Sequence, residues 1–451
     1  MHIALVTHHF LPHYNSGAEQ YAYRIGRELQ RQGHAVEVVC IETVDSGSLT
    51  PICITGTYDG LTVHRLYCDL ERSPEPIEWQ FRNQELGEWF KDFLQRARPD
   101  MVHINSGYLW GGSAPEAARQ LGIPTALTLH DYWFVCPLIT LFRTDGRLCD
   151  RPVPPGRCVW CSVSKKRRYG LLDRWLGGRL GDVFVALTRS TTRAKSMNVA
   201  PHIELIAERR RYLKRILETV DLVIAPSQFV IQKLDQYGFT SRRMVYLPFG
   251  LDTTHLAGRK SETPAAKLRI GYLGQFVPHK GAHVLLAAFQ NLNRRNGTCQ
   301  LTLHGKITSA SPYERKLLSA ARNDPAITFA GAYPNAQVGE ILNALDVLVV
   351  PSLWYENRPT VIVEAHATRT PVVAARLGGM AELITHNENG LLFEAGSVKS
   401  LTEQLQRLLD DPTLLPRLRS GIPSVPGIEQ ETATLVSLFE GLVPRKDQPI
   451  G

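Results

Sequence analysis

Two carboxylates, Glu356 and Glu364, flank a proline in the stretch Trp354-Tyr355-Glu356-Asn357-Arg358-Pro359-Thr360-Val361-Ile362-Val363-Glu364-Ala365. Proline is tolerated best at the first position of a helix, where its missing N–H would have no partner anyway. The spacing therefore predicts a helix that begins at Pro359, with Asn357 or Arg358 as its cap. The N–H groups of Thr360 and Val361 would then point outward at the positive end of the helix dipole, a place suited to phosphate. Glu356 sits before the helix and Glu364 well inside it. One carboxylate would reach a sugar and the other a ribose, on either side of a bound diphosphate. The spacing is weak by itself, since a chain of this length holds roughly one such pair by chance. A surface helix with two solvated glutamates is the plain competing reading.

Neighbouring loops strengthen the case. The apolar run 346–350 and the turn Pro351-Ser352 precede the glutamates. Another strand-like run, Ile270-Gly271-Tyr272-Leu273, leads into Gly274-Gln275-Phe276-Val277-Pro278-His279-Lys280-Gly281. A lysine just before a helix start places a point charge on a phosphate. A third run, 372–375, leads into Leu377-Gly378-Gly379-Met380-Ala381-Glu382, where paired glycines would let backbone approach an anion. A glycine at a strand end is usually only a turn. Three such loops at one sheet edge are a stronger signal. The first half adds Phe10-Leu11-Pro12-His13-Tyr14-Asn15-Ser16-Gly17-Ala18-Glu19 and Leu129-His130-Asp131, each at the end of a strand-like run. His130 is placed to touch a transferred sugar; a hydrogen-bonded core histidine is the alternative.

The elements that must hold these loops alternate between apolar strands and helical patterns, the mark of parallel α/β sheets. Strands are expected at 2–7, 35–40, 101–105, 125–129, 222–225 and 245–247. In the second half they are expected at 268–273, 300–304, 327–330, 347–350 and 372–375. Helices are expected at 18–32 and 398–409. A polar stretch at about 253–267 separates two Rossmann-like domains, which are expected to face each other across a cleft. Ligands of such sheets bind at the carboxyl ends of strands.

At 451 residues the chain has room for two domains or three, each with its own core. With 43% hydrophobic and 21% charged residues it reads as an ordinary soluble protein, and its apolar runs fall short of a membrane span. The run Met1-His2-Ile3-Ala4-Leu5-Val6 lacks the marks of a signal peptide, so a cytoplasmic enzyme is expected. The net charge of +8 is uneven: between Lys165 and Arg215 there are 14 Lys/Arg against 4 Asp/Glu, a local +10, so the remainder nets −2. Lys165-Lys166-Arg167-Arg168 and Arg209-Arg210-Arg211 frame Leu171, Leu172, Trp175, Leu176, Val183 and Phe184. That mixture fits an anionic membrane surface, on the inner face of the cell membrane. A solvated basic insertion fits equally well. No nucleic-acid-binding module is recognisable.

Four of the eight cysteines cluster as Cys136, Cys149, Cys158 and Cys161, with 12, 8 and 2 residues between them. The Cys158-Val159-Trp160-Cys161 spacing is that of a zinc knuckle, and a structural zinc is expected. Unligated buried thiols and an iron–sulfur cluster are the alternatives. Cys40, Cys53, Cys68 and Cys299 are scattered.

Taken together, these motifs resemble the retaining family-4 glycosyltransferases of the GT-B fold, many of which build bacterial polysaccharides and lipid-linked sugars. The similarity runs through Phe10-Leu11-Pro12, Gly17-Ala18-Glu19, Gly33-His34-Ala35-Val36, His130-Asp131 and Asp221-Leu222-Val223-Ile224-Ala225-Pro226-Ser227. It continues through Pro248-Phe249-Gly250-Leu251-Asp252, Gly274, Lys280-Gly281, Glu356, Glu364, Gly378-Gly379-Met380-Ala381-Glu382-Leu383-Ile384 and Asn389-Gly390-Leu391-Leu392-Phe393. Only the cysteine-rich and basic insertion at about 136–215 stands outside it.

The resemblance implies an acceptor domain at 1–252, a nucleotide-sugar donor domain at 266–425, and at 426–451 a helix crossing back onto the first domain. It implies that Lys280 lies on the donor diphosphate and Glu364 on the ribose. Glu356 and His130 would lie at the transferred sugar, with Gly274, Gln275, Gly378, Gly379 and backbone from Asn357 through Thr360 to Val361 lining the donor. Gly17 would line the diphosphate from the other domain. Two departures stand out. The family often has Arg at Gln275 and a second Gly at Ser16. With one cation fewer, leaving-group stabilisation rests on Lys280 and helix N-termini, with Arg358 and Arg376 as candidate substitutes. The chemistry itself calls for no metal. No carboxylate stands out as a nucleophile, so front-face attack is expected. An epimerase of the same fold and a non-catalytic nucleotide-sugar-binding protein are the rival readings. The opening strand lacks the Gly-x-Gly-x-x-Gly turn of a dinucleotide enzyme, and nothing marks a Schiff-base lysine.

Overall fold

Short apolar runs without alternation are what strands buried on both faces require. In the computed structural model six of them, among them Leu222–Ala225, Val347–Val350 and Val372–Ala375, are buried at every position. The structure describes residues 1–43, 48, 50–69, 72–73, 76–165, 169–253, 256, 267–293 and 298–443. Lys166, Arg167 and Arg168, most of the polar stretch 253–267 and the tail 444–451 lie outside the described residues.

The chain forms two units, one made of Met1–Pro248 with Ile428–Gly451 and the other of Phe249–Gly427. The first contains β1 (His2–Thr7), β2 (Ala35–Thr43), β3 (Ile52–Tyr58), β4 (Leu61–Cys68), β5 (Met101–Ile104), β6 (Thr125–Thr128), β7 (Leu222–Ala225) and β8 (Met244–Tyr246). Their order is β3-β4-β2-β1-β5-β6-β7-β8, parallel except for the β3–β4 hairpin. The second contains β9 (Leu268–Leu273), β10 (Cys299–His304), β11 (Ile327–Gly331), β12 (Val347–Val350), β13 (Val372–Ala375) and β14 (Gly390–Phe393). All are parallel, in the order β11-β10-β9-β12-β13-β14.

Three strands go beyond the sequence reading: β14 and the β3–β4 hairpin. The hairpin had a legible signal in Asp59-Gly60, whose φ values of 45° and 79° fit a two-residue turn between antiparallel strands. β3 is largely exposed at the sheet edge and lacks an apolar run, so periodicity alone missed it.

In each sheet the strand order reverses once, between β1 and β5 in the first unit and between β9 and β12 in the second. Such a switch point opens a crevice at the strand ends, where loops diverge to opposite faces. Within the first unit, helix Ile428–Glu440 packs on helix Gly17–Arg31: Tyr21 donates to Glu431 Oε1 at 2.7 Å, and buried Phe439 meets the His103 ring. The connection from β6 to its neighbour β7 carries the insertion. It comprises helices Pro155–Lys165, Tyr169–Trp175, Arg179–Thr188 and Thr191–Ser196, followed by Ala200–Thr219.

Candidate functional site

In the second unit the three loops singled out from sequence follow β9, β12 and β13, which are consecutive in the sheet. Parallel pairing therefore brings Gly274–Gly281, the segment around Glu356 and Gly378-Gly379 to one edge. The helix after β12 is Thr360–Ala367, with Pro359 as its N-cap at ψ 115°. This corrects the expected start. Proline supplies the extended residue before the helix, and Ile362 N–H is bonded to Pro359 O at 3.1 Å. The N–H groups of Thr360 and Val361 remain first-turn donors without an intrahelical acceptor.

Lys280 and Glu356 meet, with Nζ to Oε1 at 2.6 Å. Ser352 Oγ and Trp354 Nε1 donate to the same oxygen, each at 2.8 Å, and the Lys280 ammonium sits 5.2 Å from the Trp354 ring centre. Burial alone would raise the Glu356 carboxyl. The Lys280 charge and the three donors outweigh burial and hold it below the usual carboxylate range. All three bonds go to Oε1, so Oε2 has no protein donor among the described residues. Ser352 and Trp354 are functional neighbours that the sequence reading left without a role; both lie within four residues of Glu356.

The Gly378-Gly379 loop packs against that segment. Gly379 N–H donates to Glu356 O at 2.8 Å, and a Cβ on Gly379 would fall 1.6 Å from Asn357 O. The glycines are demanded by this backbone-to-backbone approach, a reason the sequence alone did not supply. Gly281, at φ 74°, likewise brings the Lys280 turn against Pro351 O. Glu364 is buried, and its charge helps push Tyr333, itself raised mainly by burial, to about 12. Gln275 is held through its backbone, whose carbonyl accepts from Tyr272 Oη at 2.7 Å. Arg376 is exposed and Arg358 half-buried.

In the first unit, β1 and β5 end beside each other, followed by β6. His130 Nε2 lies 2.9 Å from Asn105 Oδ1. Asn105 Nδ2 donates to Ala18 O at 3.0 Å, which turns Oδ1 toward the imidazole and makes Nε2 the protonated nitrogen. Burial lowers His130 to about 3, aided by nearby His8 and His103. The imidazole is therefore neutral around pH 7. Asp131 turns away and accepts from Trp133 N–H at 2.8 Å.

Ser16 and Glu19 form a capping box at the start of helix Gly17–Arg31, and His8 Nε2 lies 3.2 Å from Glu19 Oε1. Against the pull of burial, His8 and Ser16 hold the Glu19 carboxyl down at about 2. This is a physical reason for Ser16. Ser-x-x-Glu is a capping signal readable from sequence, as was the position of Asn105 at a strand end. A Cβ at Gly17 would meet nothing within 4 Å. Packing does not explain that glycine.

The four clustered cysteines line one small cavity in the insertion, and all are free thiols. Among the described residues, no three His, Cys, Asp or Glu side chains stand in metal-ligating geometry.

Comparison with known proteins agrees with this architecture. Residues 16–202 match the glycosyl transferase 4-like domain, and residues 257–422 match glycosyl transferases group 1. The chain is a family-4-like glycosyltransferase of the GT-B fold. It is 25% identical to an MMP alpha-(1->4)-mannosyltransferase of Mycolicibacterium hassiacum, over 99% of both chains. A 32% match to the D-inositol 3-phosphate glycosyltransferase of an Arthrobacter species spans 33% of this chain and only 36% of that enzyme. Among solved structures it resembles sucrose-phosphate synthase from Thermosynechococcus elongatus, with a TM-score of 0.66, 20% identity and 98% of each chain covered. It also resembles Anabaena Alr3699/HepE in complex with UDP, with a TM-score of 0.67, 16% identity and coverage of 98% and 100%.

Proposed function

We propose that the protein transfers a sugar from a nucleoside-diphosphate sugar to an acceptor hydroxyl with retention of anomeric configuration, in the synthesis of cell-surface polysaccharide or its lipid-linked precursor. The observation that carries this reading is the pair of half-buried Lys280 and buried Glu356 at the β9/β12 switch point, beside the first turn of helix Thr360–Ala367. A full cation and first-turn N–H groups at one strand edge suit a diphosphate. The Anabaena relative of similar fold is described with UDP.

As the leaving diphosphate departs, negative charge grows on its terminal phosphate and positive charge on the sugar carbon. Lys280 and the Thr360 and Val361 N–H groups stabilise the first. The acceptor oxygen bonds to the carbon on the face the phosphate leaves, and the phosphate oxygen takes the acceptor proton. Glu356 is better suited to positioning than to nucleophilic attack, because three donors already occupy Oε1. Its Oε2 is available to a sugar hydroxyl. Glu364 is assigned to the ribose, and Gly274, Gln275, Asn357, Gly378 and Gly379 to the donor pocket. His130 is assigned to the transferred sugar as a neutral imidazole, and Gly17 to the donor diphosphate.

Peripheral attachment to an anionic membrane is part of the same reading. Among the described residues of the insertion, six large apolar side chains are exposed, including Tyr169, Leu172 and Val183, with Trp175 at 82%. Exposed Arg174, Arg179, Arg189 and Arg193 stand among them.

A thermal-shift screen against a panel of nucleotide sugars tests the donor site. One donor should raise Tm in the wild type and leave Glu364→Ala unmoved. The reading fails if no donor shifts the wild type, or if the variant shifts equally.

A further inference from the structure

Cys136, Cys149, Cys158 and Cys161 come from three different pieces of chain, yet all four line a cavity of about 20 Å³. That space suits one water or one ion. Each sulfur is within electrostatic reach of the other three. Cys158 and Cys161 share one face of helix Pro155–Lys165, at the i,i+3 spacing. Cys149 is fixed by its N–H to Leu141 O at 2.8 Å, beyond a hairpin closed by Phe142 and Leu148.

Two further features of the surroundings suit a bound cation. First, the amide groups of Leu138 and Leu141 lie near the Cys136 sulfur, and that of Thr144 lies near the sulfur of Cys161. Between Leu138 and Leu141 the chain turns through Ile139 at φ 72° and on to Leu141 at φ 51°. A left-handed backbone is costly for a β-branched residue. Here it turns two amide groups toward one sulfur, and amide donors of this kind support a metal-bound thiolate.

Second, Arg209 is 4% exposed and forms no ion pair with a carboxylate among the described residues. Its guanidinium bonds to the carbonyls of Trp133 and Phe134 and stacks 4.6 Å from the Trp133 ring centre. The Cys136 and Cys158 sulfurs and the Asp131 carboxyl lie near it. A buried guanidinium requires negative charge nearby. Four thiolates around a divalent ion carry a net −2, which Arg209 offsets in part, while Arg143 at the cavity wall is already paired with Asp145.

We propose that Cys136, Cys149, Cys158 and Cys161 bind one zinc ion as four thiolates, a structural site that staples the insertion to the chain leaving β6. Zinc is the ion that four-thiolate, Cys-x-x-Cys donor sets favour. The sulfurs ring the cavity without standing in ligating geometry, so binding draws them inward through rotation about χ1. Four protons leave to solvent as the four Zn–S bonds form. Cys136 lies six residues beyond His130, so the site also anchors the loop that carries this imidazole.

The test is elemental analysis of the full chain, purified without added metal. About one zinc per chain is expected. Cys158→Ser and Cys161→Ser should each lower zinc content at least fivefold, whereas Cys40→Ser and Cys299→Ser retain it. Replacement of zinc by cobalt(II) in the wild-type chain should give the strong sulfur-to-cobalt absorption and visible bands of a tetrahedral thiolate site. That readout does not depend on whether the serine variants fold. Iron in place of zinc, a disulfide between any two of the four cysteines, zinc retained in the Cys158→Ser/Cys161→Ser double variant, or cobalt spectra without thiolate bands would each overturn the proposal.

Discussion

The two units place their polar residues at equivalent positions, the strand ends where sheet order reverses, but with different electrostatics. In the second unit the crevice holds a full charge pair, Lys280 on Glu356, reinforced by Ser352 and Trp354. In the first, His8 after β1 meets the Glu19 carboxylate, and the imidazole after β6 is neutral and held by an amide, His130 on Asn105. A cation beside a carboxylate can exchange that partner for a phosphate. A neutral imidazole held by an amide can only accept or donate hydrogen bonds. The division suits one unit to stabilising charge and the other to fixing orientation.

Removing the charge from the second unit should have the largest effect. Lys280→Met is expected to lower kcat/KM by roughly 10²–10³, the range for losing one electrostatic stabiliser of a leaving group. It also strands Glu356, so chemical denaturation should show a less stable protein. Adding Glu356→Gln should restore stability but not turnover. If the double variant recovers both, the pair is structural and the proposed charge asymmetry between the units is wrong.

The glycines sharpen the contrast. Gly379→Ala must push Asn357 O aside, with an expected cost of ~2 kcal/mol in stability together with weakened donor binding. Gly17→Ala meets no protein atom within 4 Å, so Tm should stay within a degree or two while KM for the donor rises. Measuring Tm and KM for both variants separates a packing glycine from a ligand-facing one. Equal Tm losses would show that Gly17 is structural after all.

The smallest effect lies in the pH dependence of the first unit. His130 protonates near 3 in the native state and at 6.5 ordinarily, so between these values the unfolded chain binds the extra proton. Stability should therefore fall on acidification from 6.5 toward 3, by at most ~1.4 kcal/mol per pH unit from this group, and be unaffected above that window. His130→Gln should flatten the slope, leaving the part due to His103, which burial lowers to about 4. An unchanged slope would mean that His130 is accessible to protons in the native state.

Much of the loop-bearing edge of the second unit was legible in advance because its signals are local. Apolar runs, a lysine before a helix and paired glycines each announce a turn or a strand end within a few residues. The β3–β4 hairpin was legible too, through Asp59-Gly60, but its exposed edge strand lacks the apolar run that makes other strands visible. Pro359 shows the limit of a local rule. A proline fits both the cap and the first helical turn, and the chain around it decides which.

The order of amino acids alone determined two parallel α/β units, the loops that end their strands and the cysteine cluster, because backbone preference and apolar periodicity act over a few residues. Tertiary structure decided that Lys280 meets Glu356 across 76 positions. It also decided that Asn105 sets the proton on His130, that Gly379 exists to admit a neighbouring backbone, and that Arg209 is buried near Cys136 and Cys158. Those outcomes depend on which strands lie next to each other and on the charge each buried group must find nearby. No stretch of sequence carries that information by itself.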